Sequence, residues 1–170
     1  MTTDVVEAAL RDVERSVSRL MDSEPARQTA MHEAAHVVAA WAMGGAVERV
    51  TIVPSPTSLG MTTLARRLPP AEMAAFAVIG SFVAGSSTTD DQMAMGLVGE
   101  AGMEDARTRA RAIAGEHCAA IEAVAAALMD RRTLSRSELE VLRLELFPPA
   151  DPRARVEGAL QRYAARSRSR

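Results

Sequence analysis

The 170-residue chain has no lysine and no asparagine, a single cysteine, and only 3% aromatic residues. All 20 of its basic residues are arginine, which reads as a coding bias and assigns no function by itself. Cys118 stands alone, so no disulfide can form within the chain, and a reducing compartment is expected. No stretch approaches the roughly 18 consecutive apolar residues of a membrane-crossing helix. The opening MTTDVVEAALRDVERS is charged throughout and lacks the apolar core of a secretory signal. A cytoplasmic protein without a membrane span is the expectation. Excess basic charge is missing as well: the net charge of -2 leaves no overall basic character for phosphates, which argues against nucleic acid as a partner.

What the chain does have is 48% hydrophobic content, enough at this length for one domain with a buried core. Val5, Val6, Ala9, Leu10, Val13, Val17, Leu20 and Met21 recur at helical spacing, predicting an amphipathic helix over 4–22. A second helix is expected from about Ala26 to Met43, ended by Gly44 and Gly45. The β-branched run Val47, Val50, Ile52, Val53, stopped by Pro54, reads as a strand, and MTTLARRL supplies a second extended segment. Further helices are expected over 71–84, from about residue 90, over 104–131, and in SRSELEVLRLEL, where Ser135 and Glu138 have capping-box spacing. The fold class is therefore mainly α with a small β-sheet, α+β. Residues 1–147 form one domain with its core over 26–146. Residues 148–170 are an arginine-rich C-terminal helix or tail, with six arginines against one acid from 153 onward.

The chemistry concentrates in MHEAAHVVAAW, residues 31–41. On a helix, positions i and i+4 share one face, so His32 and His36 can aim imidazole nitrogens at a common point, the arrangement zinc needs. Glu33 projects beside that pair, placed to take a proton from a zinc-activated water. The bland alternative is two core or surface histidines that fall four residues apart. A catalytic zinc site usually has a third protein ligand. His117 and Glu72 are candidates, though a helix-surface histidine and a dipole-compensating acid are their ordinary roles. Asp90 and Asp91 stand at a helix start, where the free N–H groups favour a carboxylate, and capping explains them equally well.

AMHEAAHVVAAW, followed by VERVTIVP and then SLGMTT, resembles the peptidase domain of the FtsH-type (M41 family) zinc metalloproteases in order and spacing. TLSRSELE is similar to the segment that closes that domain, so the resemblance spans about residues 26–142. It implies an FtsH peptidase-like fold with a zincin-type active-site helix, Zn2+ held by His32, His36 and a downstream aspartate, and Glu33 as general base. The family's aspartate stands four residues before an alanine, as Asp90 does before Ala94, so the ligand carries over to Asp90 with Asp91 as fallback. The implied activity is a zinc-dependent metalloendopeptidase. The alternative is a catalytically weak or inactive zinc-containing interaction module of the same fold.

The departures from the family are specific. Ala35 stands where the family has glycine, and the family's Gly-Gly-Arg and paired glutamates are replaced by VIGSFVAGSS. There is no Gly-x-x-x-x-Gly-Lys-Ser/Thr phosphate loop, so no ATP-driven motor is expected in this chain. The implied substrates are peptides or unfolded protein segments, with a separate ATP-driven unfoldase as a possible partner. The resemblance also implies an edge strand on which an extended substrate aligns, and GMTTL is where that strand falls here.

Overall fold

The computed structural model describes residues 23–85 and 88–148, together with Glu7. Its elements run α1 (Glu24–Ala42), β1 (Val47–Thr51), β2 (Met61–Leu64), α2 (Pro70–Ala84), α3 (Thr88–Glu116), α4 (Cys118–Arg131), β3 (Thr133–Ser135) and α5 (Arg136–Leu146). The chain is mainly helical with one small antiparallel sheet, in line with the expected α+β class. Apart from Glu7, the helix expected over 4–22 lies outside the described residues, as does the arginine-rich segment after Pro148.

Helix α1 starts where Ser23 caps the Ala26 N–H and Pro25 presets the first turn, and it stops before Gly44, whose φ of 72° turns the chain out. Ala30, Ala34, Ala35, Ala39 and Ala40 are fully buried along it. Their small side chains let neighbouring backbones approach closely, and α2, α4 and the sheet all pack on this one helix. Helix α2 is buried from Ala74 to Gly80, consistent with its apolar sequence, and packs against both α1 and α3.

The sheet order is β2-β1-β3, so β1 is central and Val50, fully buried, faces Thr62 on one neighbour and Leu134 on the other. Strand β2 is left as an edge. Strand β1 ends at Thr51, earlier than the run to Val53 suggested, where the Val53 N–H donates to Thr51 Oγ1 instead of to a neighbouring strand, while the Ile52 N–H and the Thr51 hydroxyl both donate to the Arg132 carbonyl. Those bonds draw in β3, a three-residue strand too short to leave a periodic signature of its own.

The helices after Gly85 differ from expectation in part. The two segments expected from about residues 90 and 104 are present as the two parts of α3, which meet at Gly99, where a non-helical backbone (φ 63°, ψ -178°) kinks the run. The expected long helix over 104–131 is instead divided at His117, across which the axis turns by 78°. The His117 ring packs 4.8 Å from Phe147, which in turn sits 5.9 Å from Trp41. The turn sends α4 back across α1 and buries Ile121, Val124 and Leu128. Alanine periodicity alone carries no mark of that turn. Helix α5 opens on the expected capping box, Ser135 with Glu138. Among the described residues, no single helix is long and apolar enough to cross a membrane.

Candidate functional site

Helix α1 carries His32 and His36 on the face it turns toward α2. His36 is almost fully buried, and its Nδ1 lies 2.7 Å from the Phe76 carbonyl oxygen. A carbonyl can only accept, so Nδ1 carries the proton and Nε2 presents its lone pair. The ring is further held 4.7 Å from the Phe76 ring. His32 crosses α2 at Gly80, with whose backbone it hydrogen-bonds. A Cβ at Gly80 would lie 2.3 Å from His32 Cε1, 2.4 Å from Nδ1 and 2.7 Å from Nε2, so the ring occupies the space that any other residue would fill.

Asp90 arrives from the first turn of α3, where the helix N-terminus favours an ionised carboxylate. Its Oδ2 lies 3.0 Å from His32 Nε2 and 3.8 Å from His36 Nε2, while the two Nε2 atoms are 3.0 Å apart. Among the described residues, His32, His36 and Asp90 form the one group of three metal-ligating side chains whose donor atoms lie within 4.8 Å of each other. Tetrahedral zinc with bonds of about 2.0–2.1 Å sets its ligand atoms roughly 3.3 Å apart. The observed spacings bracket that value, and two imidazoles with one carboxylate are a donor set suited to zinc. Both rings are anchored through the backbone of α2, the outer support a ligating histidine needs.

The electrostatics agree with the geometry. Burial, with the neighbouring His32 adding to it, pushes His36 down to about 4, so it stays neutral as a metal ligand must. Burial also works downward on His32, but the hydrogen bond to Asp90 and the charges of Glu33 and Asp90 outweigh it and hold the group above its ordinary value. His36 is thus held neutral while the acids beside His32 favour positive charge on its side of the site.

Glu33 follows His32 on α1 and is 6% exposed, yet it faces the cleft. Burial raises its pKa, against the lowering effects of the Thr62 hydroxyl and His32. Thr62 on β2 donates from Oγ1 to Glu33 Oε2 at 2.6 Å and fixes the carboxylate. The preceding loop comes equally close: a Cβ at Gly60 would lie 2.8 Å from both Glu33 Cγ and Oε1. That loop is closed on itself by the Ser55 N–H donating to the Ser58 carbonyl and the Ser58 hydroxyl to the Gly60 carbonyl. A cleft of about 840 Å³ opens over His32, Glu33, His36 and Asp90, walled on one side by this loop and on the other by the start of α3.

The other candidates lie elsewhere. Asp91 is outside the ligand group, since the next residue on a helix is rotated by about 100°. His117 occupies the α3–α4 junction against Phe147, and Glu72 in the first turn of α2 does not line the cleft. Sequence reasoning did not single out Thr62, Gly60, Gly80 or the Phe76 carbonyl. An isolated glycine inside AVIGSFV was the available signal for a close approach at Gly80. The backbone carbonyl left no signal at all.

No protein-family model matches the chain, and a search of curated proteins finds no significant match.

Proposed function

We propose that the chain is a zinc-dependent metallopeptidase of the FtsH peptidase type, hydrolysing peptide bonds in peptides or unfolded protein segments without ATP. The observation that carries this reading is Glu33: a buried carboxylate with a raised pKa, open to a cleft and adjacent in sequence to one of three converging zinc-type ligands. His32, His36 and Asp90 would hold the metal. When bound, zinc supplies a Lewis acid that polarises the scissile carbonyl and brings the pKa of the attacking water to about 7.

The chain's own groups do the rest. Burial brings the basicity of Glu33 closer to that of the proton it must accept, so it takes the water proton and returns it to the leaving amine. Thr62 keeps one carboxylate oxygen engaged and aims the other. The backbone anchors at Phe76 and Gly80 hold the two imidazoles in their ligating orientation, a task the paired glutamates absent from VIGSFVAGSS would otherwise share. The β2 edge beside Glu33 is where an extended substrate would add as a further strand. An ATP-driven unfoldase, if one serves it, is a separate partner.

The direct test is metal content with turnover. Purified protein is expected to hold one zinc per chain and to cleave casein, with chelation abolishing cleavage and added zinc restoring it. Zinc without turnover favours the interaction-module reading, and absence of zinc binding removes both. Thr62→Val tests the hydroxyl. Because Thr62 lowers the pKa of Glu33, its loss raises that pKa, and the acid limb of the kcat/KM profile moves to higher pH. An unmoved limb would show that the hydroxyl does not tune the base.

A further inference from the structure

We infer that the cleft selects peptide segments with uncharged, apolar side chains flanking the scissile bond, and that Met61 and Met93 are the residues that set this preference. The inference rests on the peptidase reading above and adds its substrate class.

The lining carries few charges. Apart from the two histidines, its charged residues are Glu33 and Asp90, a pair that a dication held at the site would offset. None of the arginines among the described residues lines the cleft, and the chain has no lysine. The remaining polar positions are neutral: the Gln28 carboxamide and hydroxyls that include Thr29, Ser55, Thr57 and Thr89. Away from the metal position, a substrate carboxylate entering here loses water without gaining a cation, and a substrate ammonium finds no spare anion. Either desolvation is costly where no partner compensates it.

Apolar side chains meet the opposite situation. Met61 is 56% exposed and Met93 39% exposed, and both line the cleft. Met61 adjoins Thr62 on the β2 side, and Met93 lies about one turn after Asp90 on the α3 side, so the site between them is flanked on both banks. Leu59, 69% exposed, extends the apolar surface on the loop side. A bound peptide with apolar side chains would cover this surface and gain its burial. Methionine is unbranched and polarisable, so these positions accept varied apolar shapes and discriminate mainly by charge.

Binding is measured on zinc-loaded wild-type protein by fluorescence anisotropy, using labelled peptides whose central amide is replaced by a non-hydrolysable ketomethylene. The peptides differ only in the two side chains flanking that group: Leu, Asp or Lys. The Leu peptide is expected to bind about tenfold or more tighter than either charged one. Met93→Arg and Met61→Arg should each narrow the gap for the Asp peptide while leaving the Lys peptide weak. Equal affinities, no measurable binding of any peptide, or an Asp gap unchanged in both variants would overturn the inference. Failure of the peptidase reading shows separately, as zinc-loaded protein that does not cleave casein.

Discussion

Glu33→Gln is expected to retain zinc and to lose hydrolysis of an unstructured protein by about a hundredfold to ten-thousandfold in kcat, the range assigned to a positioned general base. The substitution preserves shape, and the amide oxygen can still accept from the Thr62 hydroxyl that now bonds Oε2. It removes the capacity to take up a proton, together with the negative charge that acts on His32. The side chains proposed to hold zinc are His32, His36 and Asp90, so zinc stoichiometry by mass spectrometry should match the unsubstituted protein. Casein cleavage at an undiminished rate would sink the assignment of Glu33 as base. Loss of zinc together with activity would place Glu33 among the ligands instead.

Gly80→Ala carries the second large effect. Its methyl group would meet three ring atoms of His32 at 2.3 to 2.7 Å, separations that real side chains do not tolerate, so the ring must leave its place over α2. His32 then loses its backbone anchor and its aim toward Asp90. Disturbing the support of a ligating histidine typically costs about 10- to 100-fold in metal affinity. Zinc titration against a competing chelator measures this, with circular dichroism confirming that the helices persist. Gly96→Ala is the control: nothing lies within 4 Å of the Cβ it would add, so zinc affinity should hold. Unchanged zinc binding by the Gly80 variant would mean that His32 is not a ligand in the orientation described.

The site was legible where chemistry is written in side-chain identity and local spacing. His32, Glu33 and His36 declare themselves within a pentapeptide, because a helix turns their separation directly into a shared face. Choosing Asp90 over Asp91 took more than capping logic, since both acids suit a helix N-terminus. The structure brings Asp90 to the histidines through the packing of α3 on α2. Features built from backbone were not legible. The Phe76 carbonyl could belong to any residue, and at the break His117 packs on Phe147, which packs on Trp41, contacts between residues distant in sequence. Strand β3 exists because Arg132 turns left-handed at φ 65° and offers its carbonyl to Thr51 and Ile52. Such long-range pairings have no local period to read.

The break at Gly99 divides α3 into a short arm carrying Asp90 and a longer body beyond it. Helical order propagates along an unbroken hydrogen-bond ladder, and the ladder is interrupted there, so the body does not enforce the arm's conformation. The arm is secured instead by its packing on α2 and by what Asp90 binds. A metal ion shared by α1 and this arm would serve as a non-covalent staple between segments nearly sixty residues apart. Its binding free energy would then count toward the local stability of the cleft wall far more than toward that of the molecule as a whole.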